Sequence, residues 1–304
     1  MLKEFLTIYS NCDGLPLSTA IFIPEKEVKG IVQISHGMAE HKERYFSFME
    51  YLTERNYVVV INDHRGHGES VRDKDDLGYF YDESGEYIVK DLHQITLYMK
   101  ERFPGKPVYL FGHSMGSMVV RMYIKKYDSE IDKLIVCGSP SKNPLVDLAL
   151  FIVRFQKLFK GDRYRSRLIQ NLAFGSYNKN IDKPISDNAW LSSDENNVRN
   201  YDSDDLCGFI FTLNGFRNLF LLMKEIYITS GWALKNKDLP IMFIAGSDDP
   251  VIVSEDKWNE SREFLQKLGY TNVRGKLYKG LRHEILNENI KENIYDDIVK
   301  FMLE

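Results

Sequence analysis

The chain has 304 residues, a length that fits one large α/β domain with an insertion or two modest domains. Its net charge of −4 provides no basic surplus, so we expect no nucleic-acid partner. Three widely spaced cysteines, Cys12, Cys137 and Cys207, favour a reducing, cytoplasmic compartment. We also expect neither a signal peptide nor a transmembrane span.

The hydrophobic pattern predicts a hairpin followed by alternating strands and helices. Expected strands cover residues 2–9, 17–24, 30–35, 57–61, 108–111, 133–136, 239–244 and 272–278, and expected helices cover 45–55, 87–103 and 118–126. Most of these strands are continuous apolar runs between helices, which is typical of parallel strands covered on both faces.

The regular spacing of strands breaks once, after residue 137. About a hundred residues separate this strand from the next, far more than a crossover between parallel strands requires. We therefore predict a core domain of residues 1–140 and 239–304, with residues 141–238 forming a mostly helical cap over the carboxyl edge of the sheet. Within the cap, a polar stretch (176–204) separates an apolar run (145–159) from a Phe- and Leu-rich run (205–227).

The segment Gly112-His113-Ser114-Met115-Gly116 lies between an expected strand and an expected helix. A serine on a tight strand-to-helix turn needs very small neighbours two residues away on each side, and glycine supplies both. An ordinary turn with a helix-capping serine would share this pattern. We predict that Ser114 is a nucleophile.

A serine hydroxyl needs a base to take its proton and an acid to orient that base. His283 is the one histidine after Ser114, and it follows the last expected strand, so it is the predicted base. The acid should follow the preceding strand, which leads into Asp248 and Asp249; we choose Asp249 because the turn before Pro250 can aim it inward. His36 is a weaker alternative as base, because it precedes Ser114 and faces a tight turn.

Two backbone N–H groups should stabilise the charge that develops on a substrate carbonyl oxygen. One is Met115, directly after the nucleophile at the start of a helix. The other should come from the loop after the strand at 30–35, where Gly37 permits the turn and Met38 is the better donor.

A second polar segment, residues 62–70, contains His64 and His67. Two histidines three apart could indicate a metal site, yet no further histidine or cysteine lies near them in sequence. We favour a structural loop in which Asp63 and Arg65 bind backbone groups, and we expect neither a metal nor a cofactor.

With these residues assembled, the chain resembles serine α/β-hydrolases of the monoacylglycerol lipase and lysophospholipase family. The matching segments are HGMAEHKERY (36–45), DHRGHGES (63–70), GHSMGS (112–117), GSDDPV (246–251) and GLRHEILNE (280–288). The resemblance implies an eight-stranded, mostly parallel sheet with helices on both faces and a helical cap. It also supports Asp249, Met38 and Met115 in the roles above and places Glu40 and Arg44 near the pocket as an ion pair. Ser117 departs mildly from the family, in which a third glycine is common.

We expect hydrolysis of carboxylic esters through an acyl-enzyme, on monoacylglycerol, lysophospholipid or similar single-chain substrates. Phe151 and Phe209 are candidate substrate-binding residues of the cap, although either could instead pack within the protein. The apolar run at 145–155 could also contact a membrane surface. An amidase that holds a free amine with Asp194, Glu195 or Asp205 remains open, as does a catalytically silent binding module; the oligomeric state is left open.

Overall fold

A single sheet of eight strands organises the chain, which a computed structural model describes over residues 1–304. The strands are β1 (Leu2–Tyr9), β2 (Pro16–Ile23), β3 (Gly30–Ser35), β4 (Tyr57–Asn62), β5 (Val108–His113), β6 (Lys133–Cys137), β7 (Ile241–Gly246) and β8 (Val273–Tyr278). Their order across the sheet is β1-β2-β4-β3-β5-β6-β7-β8. The pairs β1–β2 and β2–β4 are antiparallel and all others are parallel, so the expected mostly parallel sheet with an opening hairpin is confirmed.

Nine α-helices accompany the sheet. They are α1 (Phe46–Glu54), α2 (Tyr87–Arg102), α3 (Met115–Tyr127), α4 (Val146–Lys160), α5 (Arg167–Phe174), α6 (Glu195–Asp202), α7 (Leu213–Glu225), α8 (Glu255–Leu268) and α9 (Lys291–Leu303). None of these helices combines the length and the apolar composition needed to cross a membrane.

Both faces of the sheet are covered, because the central strands bury every side chain. Strands β3, β4, β5 and β7 have no exposed residue, which explains their continuous apolar sequences. Alternate residues of each strand enter two separate cores: Val58 and Val60 pack with α2 and α3, whereas Val59 and Ile61 pack with α1 and α9. Strand β8, at the edge of the sheet, is exposed over three consecutive residues.

Four helices, α4 to α7, lie between β6 and β7, where the sequence predicts a mostly helical insertion. Helix α6 falls in the polar stretch, for which the hydrophobic pattern predicts no helix. Asp194 begins it by accepting a hydrogen bond from the amide of Asn196, and only Val198 and Tyr201 are buried. Tertiary burial of these two side chains therefore determines α6 more than its own composition does.

Candidate active site

Ser114 lies at the turn between β5 and α3 in a strained backbone conformation, with φ of 53° and ψ of −117°. A Cβ on Gly116 would lie 2.1 Å from the Ser35 carbonyl oxygen, and one on Gly112 would lie 2.4 Å from the Gly116 carbonyl oxygen. Both positions therefore require glycine. The close approach of α3 to β3 holds the serine in its strained turn beside the loop that follows β3.

Replacing Gly116 with alanine should destabilise the fold by about 3 kcal/mol, because the new methyl group meets backbone that cannot move aside. Gly105→Ala is the matched control: Gly105 has φ of +74° but nothing within 4 Å of an added Cβ, so only about 1 kcal/mol of backbone strain is expected. Chemical denaturation of both variants measures the difference. Equal losses would show that the contact with Ser35 can relax.

His283 and Asp249 form a buried pair near Ser114. The Nδ1 atom of His283 lies 2.9 Å from Oδ2 of Asp249, and both side chains are almost fully buried. The other Asp249 oxygen accepts the amide of Val251, which fixes the carboxylate. Asp248, in contrast, is exposed and bonds the Ser247 hydroxyl. The Nε2 atom of His283 has no partner in the protein, and His283 and Ser114 line the same cavity.

The loop after β3 approaches Ser114 closely, since a Cβ on Gly37 would lie 3.3 Å from the Ser114 Cβ. The Gly37 amide donates to Glu40 Oε1 at 2.5 Å and is therefore occupied. Met38 follows it, lines the cavity and finds no acceptor within the protein for its amide. Met115 is the first residue of α3, where an amide has no partner in its own helix.

Glu40 and Arg44 do form an ion pair, and the structure adds Glu284 to it. The Arg44 guanidinium donates to Glu40 at 2.9 Å and makes a two-point contact with Glu284 at 2.5 and 2.6 Å. Burial acts to raise the pKa of Glu40, but the hydrogen bond from His113 and the charge of Arg44 hold this pKa well below its usual range. Burial also acts to raise the pKa of Glu284, but the charge of Arg44 outweighs burial and lowers this pKa. Both carboxylates are therefore charged, and one guanidinium joins the loop after β3 to the segment that carries His283.

Replacing Arg44 with leucine should lower the free energy of unfolding at pH 7 by about 3 to 5 kcal/mol, because two buried carboxylates lose their cation. The matched control Arg199→Leu removes an exposed i,i+4 pair with Glu195 and should change stability by less than about 0.5 kcal/mol. The pKa values of Glu40 and Glu284 are lowered in the folded protein, so their charged forms stabilise the fold above about pH 4.5. This contribution is lost as the pH falls and the two carboxylates take up protons. The difference between wild type and Arg44→Leu should therefore shrink in acid; a constant difference from pH 7 to pH 4 would contradict the assignment.

A cavity of about 880 Å³ opens beside Ser114, and 22 of its 38 lining residues are hydrophobic, so most of its wall is apolar. Phe209 and Glu40 line it, as expected, while Arg44 reaches it only through its two carboxylates. The prediction for Phe151 is wrong. Helix α4 turns Leu148, Ala149 and Ile152 toward the cavity, and Phe151, 64% exposed, points elsewhere and lies near Phe155.

Residues that the sequence offers as weaker candidates have structural roles or lie away from the cavity. His36 is fully buried with both ring nitrogens occupied, by the Gly37 carbonyl and the His64 amide, so it cannot act as the base. Asp63 binds the amides of Lys42 and Glu69, as the structural interpretation of residues 62–70 predicts. Asp194, Glu195 and Asp205 do not line the cavity, and the acidic residues that do are Glu40, Asp187 and Glu284.

Sequence reasoning assigned no role to three residues at the site, Trp190, Tyr177 and Glu284. Trp190 lies over His283 with 5.1 Å between ring centroids, and Tyr177 packs against Trp190 in turn. Glu284 directly follows His283, and this position was the available signal for it. Trp190 gave no such signal, since it is an isolated aromatic residue in a polar stretch.

The sheet, the strained serine turn and the buried His–Asp pair define a protein of the α/β-hydrolase class. A carboxyl esterase from Bacillus coagulans, solved in complex with glycerol, superposes with a TM-score of 0.91 over 100% of this chain and 98% of that one, at 27% identity. A monoacylglycerol lipase of Mycolicibacterium smegmatis is 24% identical over 298 residues, covering 97% of this chain and 95% of its own length. A probable lysophospholipase L2 of Haemophilus influenzae is 23% identical, covering 92% and 85%.

The family model described as serine aminopeptidase S33 matches residues 26–290. This match spans most of the chain, and the protein therefore belongs to that family. It is a hydrolase, and the resemblance to monoacylglycerol lipases and lysophospholipases deduced from its motifs is confirmed. A silent binding module is not supported.

Proposed function

We propose that the protein hydrolyses carboxylic esters of single acyl chains, such as monoacylglycerols or lysophospholipids, with Ser114, His283 and Asp249 as its catalytic residues. The observation that carries this proposal is the buried His283–Asp249 pair opening, with a free Nε2 atom, into the same apolar cavity as Ser114. His283 takes the proton of Ser114, whose oxygen attacks the ester carbonyl. Asp249 holds the imidazole in orientation and stabilises its charged form.

The carbonyl oxygen becomes negative during this attack, and the amides of Met38 and Met115 are the proposed donors to it. Loss of one such donor typically costs about 3 to 4 kcal/mol in the transition state. Protonated His283 then gives its proton to the departing alcohol. A water molecule attacks the acyl-enzyme by the same steps and releases the acid.

The shape and composition of the cavity favour an acyl chain over a polar substrate. The residues of the insertion that line it include Leu148, Ile152, Phe209 and Leu219. We propose that residues 141–238 act as a cap. Its apolar wall binds the acyl chain of the substrate, and polar groups near Trp190 bind the alcohol part of the ester. The names of the relatives support this substrate class.

The outer face of the cap supports a second proposal, contact with a lipid surface. Seven large hydrophobic residues on α4 and α5 are more than half exposed: Leu148, Phe151, Phe155, Leu158, Phe159, Leu168 and Leu172. Leu148 and Leu172 also line the cavity, so this apolar patch borders the substrate site. A lipid surface would thus meet the protein where a single-chain ester enters.

Vesicle co-sedimentation should detect this contact. The double change Phe155→Ser with Phe159→Ser removes two exposed rings from the patch and should weaken binding to phosphatidylcholine–monoacylglycerol vesicles at least about tenfold. Phe5→Ser removes an equally exposed ring (62%) from β1 and is the control. Equal binding by the double variant and the control variant would argue against the contact.

We also propose that the protein resides in the cytoplasm. Cys12, Cys137 and Cys207 are all free thiols, and no pair of them forms a disulfide. A reducing compartment keeps such thiols unpaired.

A substrate panel tests the proposed function. Nitrophenyl esters of rising chain length are compared with monoacylglycerol, lysophospholipid and aminoacyl amides, and labelling with a fluorophosphonate probe is measured in parallel. Aminoacyl amides are included because the family model is described as an aminopeptidase and because the Asp187 carboxylate lines the cavity. The highest kcat/KM on single-chain esters supports the proposal; preference for the amides, or absence of labelling, would overturn it.

A further inference from the structure

A cluster of three metal-binding side chains lies beside the candidate active site. His41 follows the loop that contains Met38, and Asp204 and Cys207 lie between α6 and α7. One ligand atom from each residue, the imidazole nitrogen, the carboxylate oxygen and the thiol sulfur, lies within 4.8 Å of the other two. We propose that His41, Asp204 and Cys207 form a binding site for a zinc ion that joins the cap to the loop after β3.

The donor set suits zinc. Four-coordinate Zn²⁺ binds thiolate, imidazole and carboxylate at roughly 2.0 to 2.3 Å, which places its ligands roughly 3.3 to 3.8 Å apart. The longest separation in the cluster therefore needs to shorten by about 1 Å, while His41 Nε2 and Asp204 Oδ2, now 2.8 Å apart, need to separate by about 0.5 Å. Zinc binding releases two protons to solvent: the thiol proton of Cys207, as the sulfur becomes a thiolate ligand, and the Nε2 proton that His41 donates to Asp204. Asp204 and Cys207 are partly exposed, so an ion can enter and the fourth position can hold water.

The surroundings of His41 resemble those of a metal ligand. Its Nε2 atom faces Asp204 at 2.8 Å, and its Nδ1 atom bonds the Glu43 carboxylate. A carboxylate on the second nitrogen is the partner that orients metal-binding histidines and increases their basicity. The nearest cations are already paired, Lys42 with Asp63 and Glu43, and Arg44 with Glu40 and Glu284.

The backbone holds the other two ligands in place. The Cys207 amide donates to the Asp204 carbonyl at 2.9 Å, which sets both side chains on one turn. The next residue, Gly208, donates to the Ala39 carbonyl at 2.9 Å, and the Tyr201 hydroxyl binds the same carbonyl. The site therefore spans a contact that already exists. A bound ion would fasten the loop containing Met38 to the segment that leads into Phe209, a residue of the cavity wall.

No spacing pattern could have indicated this site, because Asp204 lies 163 positions after His41. The sequence pattern predicts no metal, because the cysteines are widely spaced and no further histidine or cysteine lies near His64 and His67. The proposed ion takes no part in the transfer of the acyl group, and its role is to stabilise the cap on the core.

Cobalt titration tests the proposal with a readout independent of activity. Reduced, metal-free protein should bind one Co²⁺ per chain with a near-ultraviolet thiolate-to-cobalt absorption band, and Zn²⁺ should displace the cobalt and raise the Tm. Cys207→Ser should abolish the band. Cys12→Ser removes the other partly exposed free thiol and should keep both the band and the Tm increase.

Two further variants keep the test decisive if Cys207→Ser fails to fold. Asp204→Asn should weaken cobalt binding at least tenfold, and Glu43→Gln should weaken it by about 10- to 100-fold while keeping the thiolate band. A wild-type protein without the band, a band that survives in Cys207→Ser, or a band lost in Cys12→Ser would each overturn the assignment.

Discussion

Ser114→Ala is expected to lower kcat for ester hydrolysis at least about 10⁴-fold and to abolish fluorophosphonate labelling, because no other hydroxyl replaces the proposed nucleophile. The residual rate should reflect binding and the backbone donors alone. Release of nitrophenol by purified protein measures the effect. Stability should change little, since the serine side chain is not a core residue.

Ser117→Ala provides the control for this change. Ser117 lies one turn further along α3 and bonds the Ser114 carbonyl, so its replacement perturbs the same turn without removing the reacting atom. We expect less than a tenfold change in kcat/KM, and labelling should persist. Unchanged hydrolysis by Ser114→Ala, or equal losses in both variants, would contradict the mechanism.

Asp249→Asn should reduce kcat by about 10⁴-fold, because an amide in place of the carboxylate favours the wrong tautomer of His283 and cannot stabilise its charged form. Asp248→Asn is a matched control in the neighbouring residue. The Asp248 side chain is exposed and accepts only the Ser247 hydroxyl, so activity should remain within about twofold of wild type.

The two aspartate variants also separate catalysis from folding. Asp249 accepts the Val251 amide, and asparagine can still accept it through its side-chain oxygen, so the Tm should fall only slightly. A large loss of activity in Asp248→Asn with none in Asp249→Asn would reverse the assignment of the acid.

Strands were easier to predict than the insertion. The bounds of β1 and β3 agree with the prediction, and the other strands differ by one or two residues. Strands β3, β4, β5 and β7 are buried on both faces and leave an unambiguous hydrophobic signal. Strand β1 has no buried residue and was predicted as the first strand of a hairpin, from the turn that follows it. Helix α6 was missed because its residues are poor helix formers that depend on packing. The Phe151 error has a related cause. The run at 145–159 is apolar on several faces, and sequence alone does not say which face meets the cavity.

The sequence was enough to predict the three proposed catalytic residues, but it could not predict the contact between Arg44 and Glu284 beside them. The order of Ser114, Asp249 and His283 along the chain, each after a strand, follows from the parallel sheet, whose carboxyl ends meet at one edge. The contact between Arg44 and Glu284 joins residues 240 positions apart, and no local pattern predicts it. Long-range electrostatic contacts of this kind required the structure.

The contact between Arg44 and Glu284 affects how the protein folds during its synthesis on the ribosome. The loop after β3 is synthesised early, but its guanidinium finds its second carboxylate only when the segment after β8 has been added. Until then the Arg44 guanidinium can pair only with Glu40 and lacks its contact with Glu284. Contacts between residues so far apart in sequence form late in folding. Hydrolytic activity should therefore appear during synthesis only after the segment that follows β8 has emerged from the ribosome, so activity reports that this segment has folded onto the loop after β3.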